Sequence, residues 1–275
     1  MIASFFLSFR EGLEAALVIG VLVGALQKTN RKSYQSTIWA GFGFAVILSI
    51  IVGILLNRLG ASFEGRAEEI FEGITMLLAA GLLTWMILWM QSQARSVNKK
   101  LKEDVHQAVL KDSKTALFFV AFLAVIREGI ELAFFLTAAS MNYDGNQTLI
   151  GAALGLASVV VVAVLFFGSI VRLNISKFFQ VTSVILLLFA AGLVAHGVHE
   201  LNESGIIPSV IEHIWDINHI VDDNSTLGLF LKTLVGYNGN PSLTETIAYV
   251  LYFGVIWIAS NTLINREKKT IATSN

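Results

Sequence analysis

Two copies of one charged motif interrupt stretches of the chain that are otherwise apolar. Arg-Glu-Gly-Leu-Glu occupies residues 10–14, and Arg-Glu-Gly-Ile-Glu occupies residues 127–131. In a helix, the arginine and both glutamates of each copy share one flank, because side chains three and four positions apart are neighbours. Each ionisable side chain at the centre of a membrane helix costs about 2.5 to 3.5 kcal/mol. Six of them in two stretches therefore predict a polar site inside a membrane.

Crossing of these two helices would join four carboxylates and two guanidiniums, with a net charge of −2 when all are ionised. Gly12 and Gly129 are predicted to let the two helices approach each other closely, as small residues do in membrane helix contacts. A net-negative set of oxygen atoms at low dielectric constant favours a cation such as iron, manganese, magnesium or calcium. The predicted metal ligands are Glu11, Glu14, Glu128 and Glu131, with Arg10 and Arg127 as supporting charges.

Two other interpretations of the motifs stay open at this point. Protonation of one or two glutamates would also relieve the repulsion, and it would make the cluster a proton relay. Alternatively, each arginine pairs with the glutamates of its own helix and only locks the helices together. Neither alternative requires a metal ion.

The composition indicates what kind of protein contains these two motifs. Of 275 residues, 55% are hydrophobic and 14% are charged, whereas a soluble domain carries roughly 25% charged residues. These values exclude a soluble enzyme, a disordered chain and a nucleic-acid-binding protein. The chain has no cysteine, which excludes disulfides, thiolate metal sites and iron-sulfur clusters.

Seven stretches are long enough to cross a bilayer, whose apolar core needs about 20 helical residues. They are residues 2–26, 37–57, 69–90, 115–139, 149–171, 178–199 and 244–264. We therefore predict an all-α integral membrane protein with seven transmembrane helices. Fourteen of the 19 basic residues fall on the side of the C-terminus. The positive-inside rule then predicts an external N-terminus and a cytoplasmic C-terminus, in a multi-pass protein of the cytoplasmic membrane.

An internal repeat relates spans one to three to spans four to six. The charged motif recurs after 117 residues, Ala-Ala-Gly-Leu at 79–82 recurs at 190–193, and Gly-x-Ala at 43–45 recurs at 155–157. Because each unit has three helices, an odd number, the second unit enters the membrane from the opposite face. The sequence therefore predicts two inverted repeats plus a seventh helix. The predicted parts of this single membrane domain are repeat one 1–90, cytoplasmic loop 91–114, repeat two 115–199, outer loop 200–243, seventh span 244–264 and cytoplasmic tail 265–275.

The predicted outer face is acidic, with twelve acidic and three basic residues, and such a surface concentrates cations. Apolar spacing predicts an amphipathic helix over 208–222 in the outer loop. Ser242 and Glu245 predict a capping box at the start of span seven. Candidate intake ligands stand at the outer ends of spans three and six: Glu68, Glu69, Glu72, His196, His199, Glu200 and Glu203.

At these residues the sequence resembles the high-affinity iron permease family, also called oxidase-dependent iron transporters. The mark of that family is Arg-Glu-x-x-Glu in the first and fourth of seven membrane helices, and both copies are intact here. The likeness covers nearly the whole chain and is greatest to the short bacterial iron permeases. It extends to Glu-Ile-Phe-Glu-Gly at 69–73, to His-Gly-Val-His-Glu-Leu at 196–201, and to Gly236-Tyr237 with Pro241.

The resemblance implies a transporter and not an enzyme, with iron as the transported substrate and no permanently bound cofactor. It implies that the four motif glutamates bind iron, and that a separate extracytoplasmic protein oxidises or delivers the iron. Three rival hypotheses remain. One is a membrane-embedded di-iron oxidoreductase, although such bundles usually use Glu-x-x-His pairs. The others are a transporter of another divalent cation such as manganese, and a scaffold subunit.

Overall fold

The computed structural model describes residues 1–28, 32–93, 113–142, 145–167, 175–223 and 225–273. Within these ranges it contains eight α-helices, one short 3-10 helix over Lys32–Tyr34, and no strand. The α-helices are α1 (Ile2–Lys28), α2 (Gln35–Gly60), α3 (Arg66–Gln93), α4 (Lys114–Asn142), α5 (Gly145–Phe167), α6 (Ile175–Glu203), α7 (Thr226–Val235) and α8 (Leu243–Thr273). Most of the predicted loop 91–114 lies outside the described residues.

Five of the described helices are long and apolar enough to cross a membrane. These segments are Gln35–Gly60, Arg66–Trp89, Gly145–Leu165, Phe179–Glu203 and Leu243–Thr262. The helices α1 and α4 have 27 and 29 residues, which is also enough to cross a bilayer core. Each of them, however, carries the three ionisable residues of one motif near its middle. The architecture is that of an all-helical integral membrane protein.

Each motif helix packs most extensively on a helix from the other half of the chain. The pairs are α1 with α5 and α4 with α2, while α1 also contacts α4, and α3 lies along α6. Gly155 allows the first pair to approach, because a Cβ atom there would lie 2.5 Å from the carbonyl oxygen of Phe5. Gly41 has the same role in the second pair, where a Cβ would lie 2.6 Å from the carbonyl oxygen of Phe118. These contacts fix the positions of α1 and α4.

The predicted contact between Gly12 and Gly129 is wrong. Gly12 faces Leu156 and Val159 of α5, and Gly129 faces Ser49 of α2. The reason is the helical rotation of about 100° per residue. Each glycine is two positions from the arginine and from the second glutamate of its motif, so it points away from them. The glycines therefore serve the α1–α5 and α2–α4 contacts.

The alignment of Gly43 with Gly155 also fails as a guide to packing. A Cβ at Gly43 would meet nothing within 4 Å, whereas Gly155 is enclosed by the backbone of α1. The glycine of α2 that touches a neighbouring backbone is Gly41, two positions earlier.

A layer of buried apolar side chains joins α1, α3, α4 and α6, and we call it the apolar layer. Both copies of Ala-Ala-Gly-Leu contribute to it, through Ala79 and Ala80 of α3 and Ala190 of α6. It consists of Ala3, Leu7, Met76, Ala79, Ala80, Leu83, Met86, Ile87, Phe135, Ala138, Ala139, Leu186, Phe189, Ala190 and Leu193.

The predicted amphipathic helix over 208–222 is wrong, because this segment has no helix. Its backbone pairs instead with the chain that leads into α8. The Ile214 N–H donates to the Pro241 carbonyl at 3.1 Å, and the Ile217 N–H donates to the Gly239 carbonyl at 2.9 Å. The apolar residues of the segment thus belong to an irregular loop.

The helix of this loop is α7, which lies further along the chain. Ser225 begins it, since its side chain accepts a hydrogen bond from the Gly228 N–H at 3.0 Å. Gly236 ends it in the left-handed conformation, with φ of 69°. A Cβ on Gly192 of α6 would lie 2.8 Å from the Cα of Gly236, so the end of α7 packs directly on the α6 backbone.

Candidate metal centre

The two charged motifs meet where α1 and α4 touch. Glu11, Glu128 and Glu131 each offer a carboxylate oxygen, and these three atoms all lie within 4.8 Å of one another. Glu14, the fourth predicted ligand, lies one turn along α1, with its Oε1 3.3 Å from Arg10 Nε. We call the motif residues Arg10, Glu11, Glu14, Arg127, Glu128 and Glu131 the central cluster.

Several oxygen atoms of the central cluster lack a hydrogen-bond partner among the described residues. They are both carboxylate oxygens of Glu11, the Oε1 atom of Glu14 and the Oε2 atom of Glu128, and the side chains of Glu11 and Glu128 are buried. Buried carboxylate oxygens without a hydrogen-bond partner are costly, because they have lost their water and an ion pair as long as the 3.9 Å contact of Glu11 with Arg10 replaces it only in part. A cation bound among Glu11, Glu128 and Glu131 would supply the missing interactions.

The two arginines differ in their surroundings. Arg10 is 1% exposed, and its Nη1 lies 3.9 Å from Glu11 Oε1. Arg127 is 53% exposed, and it donates to Glu128 Oε1 from Nε at 3.1 Å and from Nη2 at 2.5 Å. Its Nε also lies 3.8 Å from Glu131 Oε1. These ion pairs are the ones expected if the arginines only lock the helices together. They nevertheless leave carboxylate oxygens of Glu11 and Glu128 without a hydrogen-bond partner among the described residues.

A second group of ionisable residues lies where α3 begins and α6 ends. The crossing of Gly73 and Gly197 brings the two helices together, since a Cβ on Gly73 would lie 2.9 Å from the Gly197 carbonyl oxygen. Glu200 is then close enough to repel both Glu69 and Glu72 electrostatically. We call Glu69, Glu72, His199, Glu200, Glu203 and Glu245 the rim cluster. It unites most of the predicted intake ligands from two separate helices.

His199 is the centre of the contacts in the rim cluster. Its Nε2 lies 3.4 Å from Glu203 Oε1, and its Nδ1 lies 3.5 Å from Glu245 Oε2. His196 differs, because it is buried and its Nδ1 is 3.0 Å from the Gly192 carbonyl within α6. Glu68 is exposed. Among the predicted histidine ligands, His199 therefore has the better geometry for a metal contact.

Glu245 is a functional candidate that its local sequence pattern does not reveal. One half of the predicted capping box exists, because the Glu245 N–H donates to Ser242 Oγ at 3.2 Å. The carboxylate does not return to the cap, however. It accepts hydrogen bonds from Asn238 Nδ2 at 3.0 and 3.2 Å, and its side chain is 2% exposed. Its neighbour His199 is too distant in sequence for local spacing to reveal the contact.

The apolar layer lies between the two clusters. Along α3, Met76 follows Glu72 by one turn, and along α4, Phe135 follows Glu131 by one turn. On α6 the layer ends at Leu193, just before the residues of the rim cluster. A separate crevice of about 510 Å³ between α2, α3 and α4 is lined mainly by apolar side chains and contains none of the predicted ligands.

Comparison with known proteins gives a consistent result. The sequence model of the Iron permease FTR1 family matches residues 1–265. The chain is 34% identical over 254 residues to the ferrous iron permease EfeU of Yersinia pestis, covering 92% of this chain and 90% of that protein. It is also 34% identical over 254 residues to the protein of the same name from Escherichia coli O157:H7, covering 92% of each. No solved structure matches the chain.

Proposed function

The chain belongs to the iron permease FTR1 family, and from this premise we propose that it moves iron across the cytoplasmic membrane through the central cluster. It is a transporter, since its relatives are named as permeases and not as enzymes. The rival assignment to a di-iron oxidoreductase has no support among these relatives. It is further weakened because Glu11, Glu128 and Glu131 include no histidine of the Glu-x-x-His type.

One observation carries the proposal for the site. Three carboxylates from two helices converge within 4.8 Å, and the oxygens of Glu11 lack hydrogen-bond partners among the described residues. Oxygen ligands of this kind suit iron in either common oxidation state. Glu14 would join as a fourth ligand when its pairing with Arg10 is exchanged for the ion. The arginines keep the net charge of the cluster small enough for burial.

The architecture that we propose has seven spans in two inverted three-helix repeats and a seventh helix. The packing pattern supports it. If α1, α2 and α3 of the first repeat correspond to α4, α5 and α6 of the second, then the contact between α1 and α5 corresponds to the contact between α4 and α2, and both are extensive. Inverted repeats commonly hold their substrate near the midplane where the two units meet. The distribution of basic residues supports an external N-terminus.

Iron would then enter at the rim cluster on the outer side. The apolar layer separates that cluster from the central one, so we propose that α3, α4 and α6 must move relative to one another during each transfer. Inward movement of a cation gains about 2.3 kcal/mol per charge per 100 mV of membrane potential. A separate extracytoplasmic protein that delivers or oxidises iron would meet the acidic outer face, whose charge attracts cations and basic surfaces.

Uptake of radioactive iron into proteoliposomes tests the proposal. Glu128→Gln should reduce the maximal uptake rate to near background, whereas Glu212→Gln, an exposed acidic residue of the loop, should leave the rate unchanged. Manganese in tenfold excess should compete weakly. Equal uptake by wild type and Glu128→Gln would refute the role of the cluster, and stronger competition by manganese than by unlabelled iron would refute iron as the substrate.

A further inference from the structure

The buried carboxylate of Glu245 lies beside His199, the histidine of the rim cluster. Glu245 is 2% exposed, and Asn238 Nδ2 donates to both of its oxygens. It also lies in the first turn of α8, where the helix dipole stabilises a negative charge. This carboxylate is therefore held in one orientation from two sides, with Oε2 directed at His199 Nδ1 at 3.5 Å.

The orientation of Glu245 determines which nitrogen of His199 can act as a ligand. A carboxylate only accepts hydrogen bonds, so the proton on Nδ1 of His199 faces Glu245, and Nε2 is the nitrogen whose proton a metal ion would displace from its contact with Glu203. That Nε2 lies 3.4 Å from Glu203 Oε1, and Glu200 is close enough to interact with both. One nitrogen and one carboxylate oxygen thus lie side by side, and His199 is 38% exposed at this point.

We infer that Glu245 is a positioning residue, which holds His199 so that Nε2 serves as an intake ligand for iron. Metal-ligating histidines commonly donate their other N–H to a carboxylate, which fixes the ring and makes the ligand nitrogen more basic. Glu203 supplies the neighbouring oxygen ligand. This inference rests on the proposed function and adds to it a residue that acts through His199 without contacting the ion.

The test is the concentration dependence of radioactive iron uptake into proteoliposomes. Loss of an outer-shell carboxylate typically weakens metal affinity by about 10- to 100-fold. Glu245→Gln should therefore raise the iron concentration for half-maximal uptake about tenfold, with a maximal rate within twofold of wild type. Glu212→Gln is the control, because it removes an exposed acidic charge from the outer loop that precedes α8 and should leave both constants unchanged.

A double variant separates positioning from general electrostatics. His199→Ala should raise the half-maximal concentration as Glu245→Gln does, and the double variant should show no further increase. Multiplied effects in the double variant would overturn the inference, as would an unchanged half-maximal concentration in Glu245→Gln. A lower maximal rate or unfolding temperature without that increase would assign Glu245 a structural role and would also overturn it.

Two additional variants keep the test decisive. If Glu245→Gln does not fold, Asn238→Ala removes the support of the carboxylate while retaining both Glu245 and His199, and it should raise the half-maximal concentration in the same direction. Absence of that effect would contradict the inference. Glu128→Gln distinguishes the two proposals: if it abolishes uptake while Glu245→Gln is normal, only the positioning role fails. If it transports normally, the proposed function itself fails.

Discussion

Replacement of Gly155 by alanine tests the packing that positions the first motif. The added Cβ would lie 2.5 Å from the Phe5 carbonyl oxygen and 3.0 Å from the Phe9 nitrogen. A carbon–oxygen contact between helices normally measures about 3.3 to 3.6 Å. Both opposing atoms belong to the backbone and cannot rotate away, so α1 and α5 must separate by close to 1 Å. Phe9 directly precedes Arg10, and the shift would therefore reach the central cluster.

The expected magnitude follows from two opposing terms. Overpacking of this kind costs about 1 to 3 kcal/mol, while alanine in place of glycine within a helix returns up to about 1 kcal/mol. We expect a net loss of about 1 to 2 kcal/mol for Gly155→Ala, near the upper part of that range because the clash is with backbone. For a chain of this size, the unfolding temperature should fall by about 2 to 8 °C.

Gly43→Ala is the matched control, because the sequence aligns Gly43 with Gly155 but a Cβ there meets nothing within 4 Å. It should leave the unfolding temperature unchanged or raise it. The assay is thermal unfolding of the two purified variants in detergent, followed by iron uptake in proteoliposomes. Equal shifts in unfolding temperature for the two variants would refute the described contact between α5 and α1.

Three further predictions concern other contacts. Arg10→Gln should lower the free energy of unfolding by about 3 to 5 kcal/mol, because it leaves buried carboxylates unpaired. Arg127→Gln should cost clearly less, since solvent screens a half-exposed charge; equal losses in denaturant titrations would contradict the difference in burial. Tyr252→Phe should lower stability by about 1 kcal/mol through loss of the 2.7 Å hydrogen bond to Thr84, and an unchanged unfolding temperature would argue against that contact between α3 and α8. Glu72→Gln and Glu200→Gln should each raise the iron concentration for half-maximal uptake while the maximal rate stays constant, and a reduced maximal rate would place these residues on the transfer step instead.

The sequence predicted the central cluster because charge inside an apolar span is rare and informative. A buried ionisable side chain needs a partner, and the repeated motif supplied matching partners on two helices. Spacing within one helix also predicted the pairs of Arg10 with Glu14 and of Arg127 with Glu131 correctly. These features depend on the period of the helix alone.

The neighbours of each helix could not be predicted in the same way. The motif predicts Gly12 at the contact between α1 and α4, although helical rotation places it on the other side of α1, against α5. The register between helices depends on side-chain volumes from both partners, as at Gly41 and Gly155. A match of small residues between two apolar segments cannot supply that register.

The loop before α8 illustrates a second limit. An apolar pattern over 208–222 fits a helix, but that segment instead forms backbone hydrogen bonds with residues 239–243. The signals of the real helix were present in the sequence: Ser225 as an N-cap and Gly236 as a C-terminal glycine. Glu245 carried no such signal, because its partner His199 is remote in sequence and the cap explains its position adequately.

Equilibrium binding of radioactive iron to the purified protein tests the central claim most directly, because it measures the cluster without transport, partner or membrane potential. Glu11→Gln, Glu128→Gln and Glu131→Gln should each weaken iron binding at least tenfold, which corresponds to about 1.4 kcal/mol. Glu212→Gln should bind as the wild type does. Wild-type affinity and stoichiometry in all three central variants would contradict the assignment of the carboxylates between α1 and α4 as the site of the transported ion.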